Sequence, residues 1–234
     1  MKTEEHLRAI VGSDHLWPAG VGDAVAGISA QLVVEPGTDQ EVAAVLHCAD
    51  KAGIAVVPRG GGTKLDWGNP PSRADLILSM ARLKRIEHAW ADLTVIVEAG
   101  CTFTHLQKEL VRYGQRLALD PLWPDRATIG GMLSCNDSGS LRLCYGGPRD
   151  LIIGSTLALA DGTLASSGGK VVKNVAGYDL SKLVTGAFGT LGVITRAIFR
   201  LHPLPRNTLT LTFCTENALE MQSCMLAIQD SGLG

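Results

Sequence analysis

The stretch of sequence that decides the fold is Val57-Pro58-Arg59-Gly60-Gly61-Gly62-Thr63. It continues an apolar run that starts at Ile54, so the pattern predicts a short buried strand that ends in three consecutive glycines. Because glycine has no side chain, such a loop can adopt positive φ and turn successive N–H groups toward one anion. The stretch therefore predicts a phosphate-binding loop, with an ordinary flexible glycine loop as the alternative.

The residues around this stretch predict a small parallel sheet. Residues 31–34 form an apolar strand pattern, and Thr38 and Glu41 have the spacing of a capping box that opens an amphipathic helix. Further strand patterns follow at 54–57 and 76–78. This β-α-β order places the glycines at the carboxyl end of a parallel strand, where ligands usually bind.

A second block predicts a larger, mainly antiparallel sheet with helices. Its strand patterns lie at 93–98 and 193–201, and Asp161-Gly162 is a strong hairpin signal between two further strands. A capping box over 104–107 predicts a helix. Residues 120–147 are rich in Gly, Pro, Ser, Asn and Asp, which predicts a long functional loop.

The last residues do not predict a stable unit of their own. They contain one predicted strand (208–213) and one predicted helix (217–229), which cannot bury their apolar faces alone. We therefore expect an α+β fold with two subdomains, followed by the start of a cap domain that is incomplete here. The expected divisions are an N-terminal segment 1–27, a ligand-binding domain 28–204 with subdomains at about 28–88 and 89–204, and a cap segment 205–234.

Composition excludes several functional classes. The net charge is −2 and the pI is about 6.3, without the basic stripe of a nucleic-acid-binding protein. No apolar run approaches the roughly 20 residues that span a bilayer, and the polar start does not resemble a secretory signal. We expect a cytoplasmic protein that is peripheral at the inner membrane, if at all, only through partner subunits. The scattered cysteines include no C-x-x-C pair, so no metal site is predicted.

Two further glycine-bearing turns follow the predicted phosphate-binding loop of residues 60–63 in the sequence. Residues 127–132 carry Thr128, Gly130 and Gly131, and residues 186–192 precede the last strand of the block. Taken singly, the first is compatible with an ordinary Ω-loop and the second with a tight entry into a strand. Three such turns beside strand ends are better explained by one extended ligand that touches the backbone at several places.

In this order the motifs resemble the FAD-binding domain of the vanillyl-alcohol oxidase and p-cresol methylhydroxylase flavoproteins, over about residues 28–204. The stretch 173–183 is similar to the FAD-binding E subunit of bacterial glycolate oxidase. The motifs that carry the resemblance are Val57-Pro-Arg-Gly-Gly-Gly-Thr63, Val97-Glu-Ala-Gly100, Ala127-Thr-Ile-Gly-Gly131, Tyr145-Gly146, Lys173-Asn-Val-Ala-Gly-Tyr-Asp-Leu-Ser-Lys-Leu183 and Gly189-Thr-Leu-Gly-Val-Ile194.

The resemblance implies FAD between the two subdomains, with its pyrophosphate on the glycine loop. Some relatives tether the flavin through a histidine where this chain has Thr63, so we expect non-covalent FAD; a cysteinyl link through Cys135 or Cys144 is the alternative. The implied cofactor-binding residues are Pro58, Arg59, Gly60, Gly61, Gly62, Thr63, Thr128, Gly130, Gly131, Asn136, Gly139, Tyr145, Val193 and Ile194.

The resemblance also implies a function: an FAD-binding subunit of a glycolate oxidase-like complex that oxidises a small 2-hydroxy acid, such as glycolate to glyoxylate. Its partners would be a second flavoprotein subunit and an iron–sulfur subunit. The alternatives are a non-catalytic FAD-binding scaffold and part of a stand-alone D-2-hydroxy acid dehydrogenase. The sequence identifies no catalytic residue, since the six histidines show no ligand spacing.

Overall fold

The computed structural model describes residues 2–169 and 178–232. Lys170, Lys173 and the start of the 173–183 motif lie outside the described residues. The α-helices are α1 (Lys2–Val11), α2 (Asp39–Ala52), α3 (Phe103–Val111), α4 (Ile129–Cys135), α5 (Arg142–Tyr145), α6 (Pro148–Leu151), α7 (Leu180–Val184) and α8 (Ala218–Asp230). The strands are β1 (Leu16–Pro18), β2 (Leu32–Val34), β3 (Val56–Arg59), β4 (Leu76–Ser79), β5 (Ile86–Ala89), β6 (Thr94–Glu98), β7 (Gln115–Arg116), β8 (Ile152–Ala158), β9 (Leu164–Gly168), β10 (Val193–Arg200) and β11 (His202–Pro203).

The smaller sheet has the strand order β1-β2-β4-β3. β2 and β3 both pair in parallel with β4, which confirms the predicted parallel sheet, and β1 adds an antiparallel edge. At the start of α2 the Thr38 hydroxyl accepts from the N–H of Glu41 at 3.1 Å. The Glu41 carboxylate accepts from Gly37 at 2.7 Å, so this cap is one residue wider than the predicted box.

The larger sheet has the order β5-β6-β10-β8-β9, and each neighbouring pair is antiparallel. β8 and β9 form the predicted hairpin, in which Gly162 takes the left-handed conformation (φ 88°). One hydrophobic core contains residues from both sheets, including Leu78 of β4 and Phe199 of β10. The α+β fold with two sheets is confirmed, and the shared core fixes the sheets relative to each other.

Two predictions in the larger block were wrong. α3 is capped by Thr102, whose hydroxyl accepts from His105 at 3.4 Å, and not by Thr104. Gln107 is unavailable for a capping box because its amide bonds both backbone groups of Leu117. The expected long loop at 120–147 contains helices α4 and α5, since Thr128 caps a short run of buried apolar residues.

The final segment is only partly as expected. Residues 208–213 form no strand, so that prediction was wrong, whereas α8 closely matches the predicted helix. α8 buries none of its residues, and 72% of Leu219 is exposed. Within residues 2–169 and 178–232, every helix is too short or too polar to cross a bilayer.

Candidate functional site

A cavity of 710 Å³ lies where the carboxyl end of β3 meets the larger sheet. All three glycine-bearing turns line it, through residues 60–62, residues 130–131, and residues 186–190 with Gly192. Its volume falls within the range of small-molecule and cofactor pockets. The turns therefore face one shared space, as the hypothesis of a single extended ligand requires.

Most of the predicted cofactor-binding residues line this central cavity. The residues that do so are Pro58, Arg59, Gly60, Gly61, Gly62, Thr63, Thr128, Gly130, Gly131, Val193 and Ile194. The structure also adds lining residues that the sequence analysis missed. Among them are Lys64, Leu65, Trp67, Asn69, Met80 and Ser134.

The other three predicted residues do not line the cavity. Asn136 ends α4 in the left-handed conformation (φ 50°), and the Gly139 N–H donates to the Asp120 carboxylate at 2.9 Å. The Tyr145 ring packs against the Arg116 guanidinium at 4.7 Å and against the His202 ring at 4.9 Å. The Asn136 N–H donates to the carbonyl oxygens of Leu133 and Met132, so each of the three residues has a structural partner within the protein.

The glycine loop, residues 60–63, is docked tightly against the segment 126–128. A Cβ added at Gly60 would lie 2.0 Å from the Thr128 hydroxyl oxygen, and one at Gly61 would lie 1.8 Å from the carbonyl oxygen of Arg126. Of these three glycines only Gly62 has positive φ (67°). Close packing thus requires glycine at positions 60 and 61, whereas backbone conformation favours it at 62.

The amides of the glycine loop are available to a ligand. In the part of the chain that the structure describes, the N–H groups of Gly60, Gly61, Gly62 and Thr63 donate to no protein acceptor. Gly60, Gly61 and Thr63 are half-buried and Gly62 is exposed, so these N–H groups are accessible to an acceptor that enters the cavity. Successive main-chain donors of this kind suit the spread negative charge of a diphosphate.

The second glycine-bearing turn uses its amides internally. The N–H of Gly130 donates to Ala99 at 2.8 Å, and the N–H of Gly131 donates to the Thr128 hydroxyl at 3.4 Å. These bonds join α4 to the end of β6 and cap its first turn. Gly130 and Gly131 therefore shape the wall of the cavity without offering free N–H groups.

Each cationic side chain of the described cavity lining is paired with a carboxylate. Arg59 forms an ion pair with Asp23, and this bond is the main reason why the pKa of Asp23 is lowered. The Lys64 ammonium lies 2.7 Å from Asp137, and only 5% of either side chain is exposed. Lys64 directly follows the loop in sequence, but its partner comes from a distant segment and no local pattern identifies it.

The cavity wall contains one of the two cysteines considered for a flavin link. Cys135 lines it and burial raises the pKa of its thiol, whereas the exposed Cys144 does not line it. A raised pKa makes the thiolate scarcer and the sulfur less reactive at neutral pH. Among residues 2–169 and 178–232 no three His, Cys, Asp or Glu side chains cluster as metal ligands would.

Sequence comparisons with known proteins find a matching family model and several relatives. A family model described as an FAD binding domain matches residues 30–168. The chain is 34% identical to D-lactate dehydrogenase of Archaeoglobus fulgidus over 197 residues, which cover 84% of this chain and 44% of that protein. It is 36% identical to glycolate oxidase subunit GlcD of Bacillus subtilis over 186 residues, covering 79% of this chain and 40% of that protein.

Among solved structures, an alkyldihydroxyacetonephosphate synthase has the same fold, with a TM-score of 0.74 at 21% identity. That match covers 88% of this chain and 41% of the synthase. The chain thus spans less than half the length of the relatives that it matches.

Proposed function

Because this chain belongs to the FAD binding domain family, we propose that it is the FAD-binding part of an oxidoreductase acting on small 2-hydroxy acids. The four free amides of the glycine loop beside the 710 Å³ cavity carry this proposal. They supply donors for a diphosphate, and the apolar lining nearby suits the flat rings of a dinucleotide. The protein residues therefore fit FAD.

The proposed roles follow from these positions. Gly60, Gly61, Gly62 and Thr63 hold the diphosphate by main-chain N–H bonds, while Val193 and Ile194 offer apolar contact to a ring. Thr63 has no nitrogen or sulfur nucleophile and the pKa of the Cys135 thiol is raised, so the FAD is proposed to be dissociable. Bound FAD would supply the two-electron acceptor of the reaction.

In the proposed reaction a 2-hydroxy acid loses a hydride from its hydroxyl-bearing carbon and a proton from its hydroxyl, which leaves a 2-oxo acid. The hydride reduces the flavin, and a base must take the proton. The described lining of the cavity contains no His, Asp or Glu, and its Arg59 and Lys64 are already paired. We infer that the base and the carboxylate-binding cation are not among the described residues that line this cavity.

The similarity to a glycolate oxidase subunit supports the finer proposal. In it, this chain works in a glycolate oxidase-like complex and passes electrons to a second flavoprotein subunit and an iron–sulfur subunit. We propose a cytoplasmic location for that complex, with any membrane contact made through partners. Residues 205–232, whose apolar side chains are largely exposed, are proposed to begin a cap domain.

A second candidate is part of a stand-alone D-2-hydroxy acid dehydrogenase, which the similarity to D-lactate dehydrogenase over 84% of this chain favours. The two candidates differ in whether this flavoprotein needs partner subunits before it accepts electrons. They share the FAD site.

Titration with FAD followed by anaerobic addition of glycolate or D-lactate tests both candidates. We expect saturable FAD binding, and bleaching of the flavin absorbance only after partner subunits are added. Bleaching by the loaded chain alone favours the stand-alone enzyme. A chain that neither retains FAD nor gains thermal stability from it contradicts the proposed function as a whole.

A further inference from the structure

Lys64 and Asp137 form a buried ion pair between the two parts of the site. Lys64 directly follows the glycine loop, and Asp137 lies just beyond the end of α4. Their charged atoms are 2.7 Å apart, and 5% of each side chain is exposed. A buried charge is strongly destabilising without its partner, so each of these residues constrains the position of the other.

Asp137 also organises the segment on which the glycine loop rests. Its carboxylate accepts from the N–H of Leu122 at 3.1 Å. The chain then turns at Trp123, whose carbonyl accepts from the N–H groups of Arg126 and Ala127. This turn presents the Arg126 carbonyl oxygen to Gly61, so the ion pair and the loop contact belong to one connected unit.

Two indole rings enclose the Lys64 ammonium from other sides. The nitrogen lies 5.7 Å from the centre of the Trp67 ring and 5.6 Å from that of the Trp123 ring. Both distances fall within the range of cation–π attraction. The ammonium also reaches the Thr63 hydroxyl at 3.4 Å, which ties it to the last residue of the loop.

We propose that Lys64 is a positioning residue for the diphosphate of the bound dinucleotide, an inference that rests on the proposed FAD site. By joining the loop to Asp137, Lys64 holds the four free amides in place before the ligand arrives. Donors that are already fixed need little ordering when the ligand binds. Because Asp137 neutralises it, Lys64 acts through geometry and not by adding net positive charge.

A charge-neutral double variant, Lys64→Met with Asp137→Asn, separates geometry from charge. Both replacements keep the approximate side-chain size, and the net charge is unchanged. We expect FAD to bind about 10- to 100-fold more weakly, the scale seen when outer residues that orient the ligands of a metal site are removed. Fluorescence titration gives the dissociation constant, and its dependence on salt concentration should stay that of the parent chain.

The matched control is Arg196→Met with Asp39→Asn. That pair joins helix α2 to strand β10 of the larger sheet and also has one partner 5% exposed, but neither residue lines the cavity. We expect the control to lower thermal stability while FAD affinity stays within about twofold of the parent, because neither side chain lines the cavity or contacts the glycine loop. Lys64→Arg, which keeps charge and reach, should retain most of the FAD affinity.

The outcomes distinguish the inference from the proposed function. A parent chain that does not bind FAD contradicts the proposed function itself. If the parent binds FAD and the folded Lys64–Asp137 double variant binds it equally well, Lys64 has no positioning role. Equal losses of affinity in the double variant and in its control would likewise overturn the inference, because both would then reflect general destabilisation.

Discussion

The two glycine-bearing segments at residues 60–63 and 128–131 line the same cavity but differ in what their amides bind. The first leaves four successive N–H groups without a protein acceptor among the described residues, whereas Gly130 and Gly131 donate to Ala99 and Thr128. Both segments need glycine where chains approach closely. Glycine in a cavity wall therefore indicates close packing in both cases, and only the hydrogen-bond partners show which segment is ready for a ligand.

The difference arises from local structure. Residues 128–131 begin helix α4, whose first N–H groups are met by the Thr128 hydroxyl and by the carbonyl group of Ala99. Residues 60–63 follow a parallel strand and enter no helix, so neither a sheet nor a helix supplies their acceptors. The N–H groups of residues 60–63 are therefore the ones that an anionic ligand in the cavity can bind.

The largest effect is expected for Gly61→Ala. Its new methyl group would lie 1.8 Å from the Arg126 carbonyl oxygen, which is backbone and cannot swing aside. We expect a loss of about 3 kcal/mol or more in the free energy of unfolding, the upper end for overpacking, together with loss of measurable FAD binding. Denaturant unfolding and FAD titration check both.

Gly62→Ala is the control for that change. No atom lies within 3.4 Å of its added Cβ, so only the left-handed backbone (φ 67°) penalises it, by about 1–2 kcal/mol. If Gly62→Ala were as damaging as Gly61→Ala, conformation and not docking would be the main demand on the loop.

The next effect concerns Gly60 and Thr128 as a pair. A Cβ at Gly60 would lie 2.0 Å from the Thr128 hydroxyl oxygen but 3.2 Å from its Cβ. Thr128→Ala alone should cost about 1 kcal/mol through loss of the helix cap. Combined with Gly60→Ala it should relieve most of the clash, so the double variant will be more stable than the sum of the single losses predicts.

A thermal or denaturant double-mutant cycle measures this coupling. The same Thr128→Ala change should give no relief to Gly61→Ala, whose obstacle is a backbone carbonyl group. Strictly additive losses for Gly60→Ala and Thr128→Ala would show that the two segments are not in contact in solution.

A smaller effect on stability is expected for alanine substitutions at the two glycines of α4, and it should differ between them. A Cβ at Gly130 would lie 2.8 Å from that of Ala99, so Gly130→Ala should destabilise the fold by about 1–3 kcal/mol. Gly131→Ala meets only the Thr128 hydroxyl at 3.3 Å and gains up to about 1 kcal/mol of helix propensity. Unfolding midpoints should therefore rank Gly131→Ala clearly above Gly130→Ala, and the reverse order would contradict the assigned packing.

Much of the fold could be predicted because its signals are local. The cap at Thr38, the Asp161-Gly162 hairpin and the alternating strands each depend on neighbours in sequence, and the structure contains all three. α4 was missed because its two glycines suggest a loop, although buried Ile129, Met132 and Leu133 stabilise it as a helix. Tertiary packing here overrides local propensity.

The part of the site that lies on local motifs could be predicted from the sequence, and the part that depends on contacts between distant residues could not. The glycine loop and Thr128 lie on strong motifs, and the structure brings them to one cavity. Lys64 with Asp137, and Arg59 with Asp23, join residues distant in sequence, so no spacing rule reveals them. Gly139 also lies in a motif-rich segment, but its N–H donates to the Asp120 carboxylate and it does not line the cavity.

The smallest effect tests whether Arg59, at the entrance to the glycine loop, acts by bracing it. The Arg59 bond lowers the pKa of Asp23 from 3.8, so this pair stabilises the fold above that pH and the contribution is lost as the pH falls through the lowered value. Asp23→Asn should cost about 1 kcal/mol at neutral pH, since the pair is partly exposed, and the difference from the parent should shrink in acid below about pH 3.8. Denaturant unfolding across this range measures the difference in stability.

With Asp23 absent, Arg59 is free to attract the diphosphate, so FAD affinity should become more dependent on salt. A gap in stability that stays constant into acid would mean that Asp23 and Arg59 are not paired, and the glycine loop would then have no ion pair at its amino end.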